Sequence, residues 1–349
     1  MEAKRRIDSF KTLGEHLRDF GRGSASPAAG RLTEAAEKAS ASNPWFTPAM
    51  IRNALTNLGE ALECRAVDEW LAPYCDKLAE ARQPQRIGLV MAGNIPAAGF
   101  HDFLCVLVAG HRLTGRLSSS DAFLLPAMAG LLEDIDPAWS GHIILNGEKL
   151  SAFDAVIATG SDNTSRYFDY YFGRYPHIIR KNRNGVAILD GHESPADLDG
   201  VADDIMLYFG LGCRNISKIF LPPGYHFEGL AGALSRYQDL LNHNKYRNNF
   251  DYQRSVLMVN GISFLEPGPV IFRREESIAS PVAVVHYDYY SRPEDLGPEI
   301  TRHSDNIQCV VSACPLPFPS VMPGTSQKPA LGDYADGVDT LEFLLSLKG

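Results

Sequence analysis

The sequence predicts an α/β protein with two doubly wound lobes, each built on a parallel sheet. From residue 86 onward, apolar strands alternate with Gly/Pro or polar turns and apolar helices, as in "RIGLVMAGNIPAAGFHDFLCVLVAG". The strand "FDAVIATGSD" ends in a Gly-Ser turn, and the alternation restarts after residue 184 with "SKIFLPPG" and "PVAVVHYDYY". Such alternation is typical of doubly wound sheets, so we expect nucleotide-sized crevices at the strand ends.

The N-terminal part of the chain is predicted to be helical. The segment "TPAMIRNALTNLGEALE" begins with Thr47 as a helix N-cap and Pro48 in the first turn. Apolar residues also recur at helical spacing near the start of the chain, at Ile7, Phe10, Leu13, Leu17 and Phe20. We expect these helices to form a layer that packs on the first sheet.

The pattern divides the chain into three predicted segments. Residues 1–183 are predicted to form the helical layer and a dinucleotide-binding domain, and residues 184–325 a catalytic domain that carries Cys213. Residues 326–349 form a C-terminal segment that we assign to oligomerisation. The boundary near residue 184 is placed where the strand and helix alternation restarts.

The composition limits the binding partners and the cellular compartment that we expect for this protein. A net charge of −9 on 349 residues gives no general attraction to nucleic acid. No apolar run reaches the roughly 18 to 20 residues that span a bilayer, and the charged N-terminus reads as an amphipathic helix rather than an export signal. We therefore expect a cytoplasmic protein. The cysteines show neither a CxxC pair nor metal-ligand spacing, so we expect free thiols and no metal ion.

Cys213 lies in "FGLGCRNISK", directly after an apolar run. A cysteine is usually a small buried residue. Here Gly210 and Gly212 allow a tight backbone and the close approach of another molecule. Arg214 and Lys218 favour the thiolate, which is the form that attacks a carbonyl carbon. The flanking residues leave both interpretations open, a core thiol and a nucleophile.

Asn94 lies in "MAGNIPAAG", between an apolar strand and an apolar helix. Asparagine is common as a helix cap. At the carboxyl end of a parallel strand, its amide can instead donate a hydrogen bond to a developing oxyanion. Loss of one such donor typically costs about 2.7–4 kcal/mol. The segment lacks the spacing of a GxGxxG fingerprint, so it is a weak signal by itself.

Two more turns offer groups that suit a nucleotide. In "TGSDNTSRYF", Gly160 and Ser161 can hold a pyrophosphate at a helix N-terminus, or simply cap a structural helix. In "RLSSSD", Arg116 and the serines, among them Ser118, suit a ribose or a 2′-phosphate. The alternative for this second turn is a polar loop that precedes a helix.

Taken in order, these segments resemble the aldehyde dehydrogenase superfamily, and the whole chain resembles its LuxC-like acyl-CoA reductases. The resemblance implies an aldehyde dehydrogenase-like fold, with two Rossmann-like lobes and a cleft between them. It implies that Asn94 of "GNIP" is the oxyanion-hole asparagine. It also implies that Cys213 of "GLGCRNISK" is the nucleophile, followed by Ser217 and Lys218 where the superfamily has Ser-Arg.

The same resemblance assigns residues to the cofactor. Arg116 and Ser118 would contact the adenosine ribose, and Gly160 and Ser161 would lie beside the pyrophosphate. A Glu-Glu pair ahead of Pro-Val binds the nicotinamide ribose in the superfamily. The stretch "EESIASPV" offers Glu275 or Glu276 for that contact. One residue of slippage leaves the choice between them open.

One departure from the superfamily bears on the reaction. Oxidising members carry a glutamate in a Glu-Leu-Gly-Gly motif that activates water, and the corresponding stretch here is "RKNRNG". Loss of such a base removes a contribution of about 10²–10⁴-fold to hydrolysis. An acyl-enzyme would then persist until a hydride or a thiol reaches it, which favours thioester chemistry.

The resemblance therefore implies NADPH-dependent reduction of an acyl thioester to an aldehyde through an acyl-cysteine on Cys213. The acyl donor would be a long-chain acyl-CoA or acyl-carrier protein, and NADPH is preferred to NADH because Arg116 can pair with a 2′-phosphate. A homo-oligomer is expected by analogy with the superfamily. The alternatives are a cysteine-dependent acyltransferase or thioesterase without nicotinamide, with His177, His243 or His286 as base, and a catalytically silent assembly subunit.

Overall fold

The computed structural model describes residues 1–80, 83–146, 150, 152–160, 162–292 and 295–347. Contacts divide the chain into two compact units, Met1–Lys181 with Pro329–Gly349, and Asn182–Lys328. Each unit contains a five-stranded sheet whose described pairings are all parallel. The predicted α/β class with two parallel sheets is confirmed.

The sheet of the first unit has the strand order β3-β2-β1-β4-β5. Its strands are β1 (Arg86–Val90), β2 (Arg112–Arg116), β3 (Ile143–Asn146), β4 (Ala155–Thr159) and β5 (His177–Arg180). Strands β1 and β4 are buried almost throughout, because helices cover both faces of a doubly wound sheet. The chain reverses its direction across the sheet between β1 and β4. Ligands bind at such a switch point in doubly wound sheets, outside the carboxyl ends of the strands.

Helices precede and follow these strands. They are α1 (Ala3–Gly21), α2 (Pro27–Ser42), α3 (Pro48–Ala61), α4 (Cys64–Leu71), α5 (Cys75–Ala79), α6 (Phe100–Val108), α7 (Leu124–Ile135) and α8 (Asp162–Phe172). Thr47 caps α3 as predicted, since its side chain accepts a hydrogen bond from the Met50 N–H. Phe10, Leu13 and Leu17 of α1 are fully buried and join the same hydrophobic core as β1. The N-terminal layer thus packs on the first unit, where α1 contacts α6 and α7.

The second unit repeats the alternation with the strand order β10-β6-β7-β9-β8. Its strands are β6 (Asn184–Ile188), β7 (Ile216–Leu221), β8 (Ile271–Arg274), β9 (Val284–Tyr289) and β10 (Ile307–Val311). Its helices are α9 (Pro195–Met206), α10 (Glu228–Leu234), α11 (Asn244–Val259) and α12 (Leu296–Arg302). The central strand β7 is buried at all six positions, as expected for a strand between two neighbours in a covered sheet.

The C-terminal segment belongs to the first unit by its contacts, whereas residues 326–349 were predicted to be a separate segment. The buried Arg180 at the end of β5 donates hydrogen bonds to the Ala335 carbonyl (2.6 Å) and to Thr340 Oγ1 (2.7 Å). Leu341 and Leu344 of the last helix, α13 (Thr340–Leu345), are fully buried. These contacts fix the segment on the first unit.

In the part of the chain that the structure describes, none of the helices combines the length and the apolar character needed to cross a bilayer.

Candidate active site

Cys213 lies in the turn that leads into β7, and its side chain is exposed. Cys105, by contrast, is fully buried in α6, where burial raises the pKa of its thiol well above the usual value. Exposure excludes the interpretation of Cys213 as a core thiol. Because it precedes β7, it lies at the amino edge of the second sheet.

The backbone that leads to this turn is left-handed at three consecutive residues. Tyr208 and Phe209 have φ values of 53° and 58°, and Gly210 follows with a φ of 73°. A left-handed conformation costs a residue with a side chain roughly 1–2 kcal/mol. Both aromatic residues are buried, and the centroid of the Phe209 ring lies 4.7 Å from that of the tilted His243 ring and 5.7 Å from that of Tyr246. Packing of the rings holds the unfavourable backbone in place.

Asn215 closes the cysteine turn from inside the fold. Its Oδ1 accepts a hydrogen bond from the Gly212 N–H (2.8 Å). Its Nδ2 donates to the carbonyls of Asp204 (2.8 Å) and Leu207 (2.9 Å), so one amide joins the end of α9 to the turn. Asn215 was not among the residues predicted from the sequence. The sequence feature that could have indicated it is an asparagine two residues after Cys213, because asparagine side chains often form hydrogen bonds to nearby backbone in turns.

Gly185 on β6 lies directly against the same turn. A Cβ atom there would be 2.6 Å from the Arg214 carbonyl oxygen and 2.8 Å from that of Asn215. Only glycine fits so close an approach. Cys309 of β10 pairs with Gly185 across the sheet, and its Sγ lies 3.9 Å from the Arg214 carbonyl oxygen. The cysteine turn is therefore supported by two neighbouring strands.

Ser217 and Lys218 both act within the second sheet. Ser217 Oγ donates to the Ile278 carbonyl (2.8 Å). Lys218 is 1% exposed, its ammonium donates to the Glu275 carbonyl, and burial lowers its pKa. Lys218 thus holds the segment that follows β8. Its predicted effect on the thiolate stays a prediction.

The two glutamates differ in what they bind. The half-buried Glu275 carboxylate accepts hydrogen bonds from the Arg273 guanidinium and from the Glu276 N–H (3.1 Å). Glu276 is exposed, and its carboxylate forms no hydrogen bond or ion pair with any residue that the structure describes. Glu276 is the member of the pair whose carboxylate is available to a ligand.

Two histidines considered as bases have structural contacts. His243 Nδ1 accepts a hydrogen bond from the Tyr246 N–H and so caps α11. His286 is buried on β9, its Nδ1 lies 2.9 Å from the Ser277 carbonyl oxygen, and burial lowers its pKa. His177, the third candidate, lies on β5 of the first unit.

Asn94 follows β1 at the carboxyl edge of the first sheet and is exposed. The interpretation of Asn94 as a helix cap is wrong, because α6 begins at Phe100 and Gly99 occupies the N-cap position. Asn94 therefore lies in the connection between strand and helix, next to the switch point between β1 and β4.

Arg116 and Ser118 lie beside this connection, since β2 pairs with β1. Arg116 ends β2 and is exposed, and its guanidinium forms no hydrogen bond or ion pair within the described part of the chain. Its carbonyl accepts a hydrogen bond from the Met91 N–H (3.1 Å). Ser118 Oγ accepts from the Ser120 N–H (3.2 Å). A guanidinium without a partner among the described residues, two residues before Ser118 in the chain, fits a phosphorylated ribose.

Gly160 follows β4, the other neighbour of β1. A Cβ there would lie 2.8 Å from the Phe168 ring and 3.1 Å from Thr164, so α8 packs tightly over this turn. Ser161, the second residue predicted for a pyrophosphate, lies outside the described residues. The N-terminus of an 11-residue helix after a parallel strand is suited to an anion, because the first N–H groups of any helix have no acceptor within the helix itself.

The first unit thus brings Asn94, Arg116, Ser118 and Gly160 to the carboxyl edge of one sheet, after three adjacent strands. These residues fit a dinucleotide. Cys213, Glu275 and Glu276 belong to the second unit. Within the described ranges, no group of three His, Cys, Asp or Glu side chains is placed to hold a metal ion.

Comparison with known proteins gives sequence relatives of one kind. No family model matches the chain. The chain is 25% identical over 206 residues to long-chain acyl-protein thioester reductase 2 of Photobacterium leiognathi, and 27% identical over 205 residues to long-chain acyl-protein thioester reductase of Vibrio harveyi. Each match covers 53% of this chain and 42% of the relative. The chain thus matches less than half the length of these curated relatives.

Solved structures with the same fold are aldehyde dehydrogenases. Aldehyde dehydrogenase 21 from Physcomitrella patens, solved with succinate, has a TM-score of 0.69 at 12% identity, over 99% of this chain and 84% of that one. The Mycobacterium tuberculosis aldehyde dehydrogenase, solved with NAD+, has a TM-score of 0.62 at 14% identity, over 89% and 73%. The resemblance is confirmed: the chain has the aldehyde dehydrogenase fold, and about half of it is similar in sequence to the long-chain acyl-protein thioester reductases.

Proposed function

We propose that this protein reduces an acyl thioester to an aldehyde through an acyl-cysteine on Cys213, with NADPH as the reductant. The observation that carries the proposal is the exposed Cys213 in a turn fixed by Asn215 and Gly185. The aldehyde dehydrogenase fold and curated relatives named as thioester reductases support it.

In the first step, the Cys213 thiolate attacks the thioester carbonyl carbon, and a new carbon–sulfur bond forms. The Asn94 amide and the Cys213 backbone N–H stabilise the oxyanion. The bond to the carrier sulfur then breaks, and the carrier leaves as a thiolate that takes a proton from solvent. A thiolate is a good leaving group, so this exchange needs little help from an acid.

A reduced nicotinamide, when bound, would supply the hydride that the acyl carbon takes in the second step. Arg116 and Ser118 would hold its adenosine ribose and 2′-phosphate, Gly160 and Ser161 are assigned to its pyrophosphate, and Glu276 would accept from the nicotinamide ribose. The free guanidinium of Arg116 is the reason to prefer NADPH to NADH. The carbon–sulfur bond to Cys213 then breaks, which releases the aldehyde and regenerates the thiolate.

The segment between β5 and β6 supports reduction over hydrolysis. By the resemblance, it corresponds to the stretch that carries the water-activating glutamate in the oxidising enzymes, and "RKNRNG" contains no carboxylate. Arg183 in this segment donates to the carbonyls of Ser304 (2.7 Å) and Ile307 (3.2 Å), and so has a structural role. Without a general base at this position, water is a poor competitor for the acyl-enzyme.

The proposal is tested by substituting Cys213→Ala. With a long-chain acyl-CoA or acyl-carrier protein, NADPH oxidation should be abolished, and a radiolabelled acyl group should mark the wild type only. Cys75→Ala is the matched control, because Cys75 is also exposed but lies on α5. It should keep both labelling and turnover. Turnover that survives in Cys213→Ala would rule out covalent catalysis by this residue.

The same assay addresses the alternative function. Acyl transfer or hydrolysis by the wild type in the absence of any nucleotide would favour an acyltransferase or thioesterase. Comparison of acyl-CoA with acyl-carrier protein as donor, and of NADPH with NADH, tests the two finer parts of the proposal.

A further inference from the structure

We propose that Asp121 is a positioning residue that couples two loops of the first unit, so that ribose binding on one loop fixes Asn94 on the other. The asparagine loop comprises residues 91–99 after β1, and the serine loop comprises residues 117–123 after β2. The inference rests on the proposed function, in which Asn94 binds the oxyanion and Ser118 contacts the nucleotide.

The first link between the loops is a hydrogen bond from the asparagine loop to the Asp121 carboxylate. The Ala97 N–H donates to Asp121 Oδ2 at 2.7 Å. Asp121 is only 3% exposed, so water does not compete for this bond. Ala97 has a φ of 57°, a left-handed conformation that is unfavourable for alanine. A bond to a charged acceptor is among the stronger ones available to hold such a residue.

The second link is direct packing at Gly93, the residue before Asn94. A Cβ at Gly93 would lie 2.4 Å from Ser118 Oγ and 2.5 Å from Ser118 Cβ. The backbone of the asparagine loop therefore touches the side chain that is proposed to contact the ribose. Asn94 lies between this contact and the bond at Ala97.

Asp121 and Ser118 belong to one hydrogen-bonded turn. The Asp121 N–H donates to the Ser118 carbonyl (3.1 Å), and the Ser120 N–H donates to Ser118 Oγ (3.2 Å). The Asn43 side chain also donates to the Ser120 carbonyl (3.2 Å), which attaches the serine loop to the end of α2. A displacement of Ser118 by a bound ribose is thus carried to Asp121, and from there to Ala97 and Asn94.

The charge of the Asp121 side chain also supports a role in holding the asparagine loop. No cation in the described part of the chain pairs with this carboxylate, although it is buried in the fold. Burying a carboxylate without a paired cation is unfavourable in free energy. Burying a neutral side chain that accepts the same N–H bond is less unfavourable. A carboxylate at this position is explained if a strong acceptor is needed to hold the asparagine loop.

The experiment combines Asp121 and Asn94 variants of the full chain. Asp121→Ala and Asn94→Ala are made singly and together, and kcat and KM are measured with acyl-CoA and NADPH. NADPH binding is measured separately by fluorescence. Asp121→Ala should lower kcat by about ten-fold or more, because it removes a charge-assisted hydrogen bond, and should weaken NADPH binding. In the Asn94→Ala background it should change kcat little, because both substitutions disable the same group.

Two variants separate positioning from general loss of structure. Asp121→Asn keeps an oxygen that accepts from the Ala97 N–H but removes the charge, so it should lower kcat clearly less than Asp121→Ala does. Asp136→Ala is the matched control, because Asp136 also accepts a backbone N–H, that of Ala138, elsewhere in the first unit. It should leave kcat and NADPH binding unchanged. Should Asp121→Ala fail to fold, Gly93→Ala takes its place in the cycle with Asn94, since it disturbs the second link.

The outcomes are distinct for the two proposals. A wild-type protein without NADPH-dependent turnover overturns the proposed function itself. If the wild type turns over, but the Asp121→Ala and Asn94→Ala effects on kcat multiply, the coupling is wrong. Equal losses in Asp121→Asn and Asp121→Ala would also overturn it. Non-additive effects with rescue by asparagine support it.

Discussion

At the scale of single residues, Asn215 carries the geometry of the cysteine turn. Asn215→Ala would leave the Asp204 and Leu207 carbonyls and the Gly212 N–H without their partner. Each buried group left unsatisfied costs about 1–3 kcal/mol. We expect a clear loss of thermal stability and slower acylation of Cys213, measured by unfolding and by the rate of radiolabel uptake.

Asn215→Asp provides the comparison for this prediction. Aspartate keeps an acceptor for the Gly212 N–H but lacks the two donors that bind the end of α9. Its effect should be at least as large as that of alanine, because a carboxylate would face two carbonyl oxygens. A variant with alanine at this position that acylates as fast as the wild type would contradict a positioning role for Asn215.

Residue-level sequence patterns could single out Cys213 and Asn94 but not what holds them. The glycines around Cys213 predict an unusual backbone, and the structure has one at Gly210. The need for glycine at position 185 arises only because β6 lies against the Arg214 and Asn215 carbonyls. Such contacts join segments that are distant in sequence, so no local sequence pattern predicts them.

At the scale of elements, the left-handed turn before β7 predicts a specific glycine requirement. Gly210 has a φ of 73°, and its missing Cβ would have space, with its nearest neighbour 3.4 Å away. Gly210→Ala should therefore cost about 1–2 kcal/mol from backbone strain alone. We expect a lower melting temperature and a disturbed Cys213 acylation rate.

Gly232→Ala is the control for backbone strain. Gly232 lies in α10 of the same unit, a Cβ there would meet nothing within 4 Å, and its φ is not left-handed. Alanine in the interior of a helix is favoured over glycine by roughly 0.5–1 kcal/mol. The melting temperature should stay the same or rise. A fall as large as that of Gly210→Ala would show that strain is not the cause.

The strands and helices could be predicted from the sequence, because apolar runs of strand length alternate with turns and amphipathic helices. That the C-terminal segment belongs to the first unit could not be predicted from the sequence. It depends on Arg180, whose guanidinium also forms a buried ion pair with Asp102 of α6 at 2.7 Å. Nothing in the residues after 328 specifies that partner, since the contact is set by the packing of β5 beside α6.

At the scale of the whole molecule, burial raises the pKa of a carboxyl group in each of the two units. Burial raises the pKa of Asp121 in the first unit to about 6, against the hydrogen bond from the Ala97 N–H, which lowers it. Burial also raises the pKa of Asp204 in the second unit to about 6, against its hydrogen bond from Ser326. An unfolded aspartate titrates near 3.9. Both groups therefore hold protons more tightly in the folded protein than in the unfolded chain.

The sign of the pH dependence follows from this difference. Between about pH 4 and pH 6 the folded state binds more protons at Asp121, so its contribution to the free energy of unfolding falls as pH rises. The shift of about two pH units corresponds to a total of about 2–3 kcal/mol. Asp121→Asn removes this contribution but leaves that of Asp204. Its melting temperature, relative to the wild type, should therefore rise between pH 4 and pH 7. A difference between the two proteins that stays constant over this range would show that Asp121 is ionised normally in the folded state.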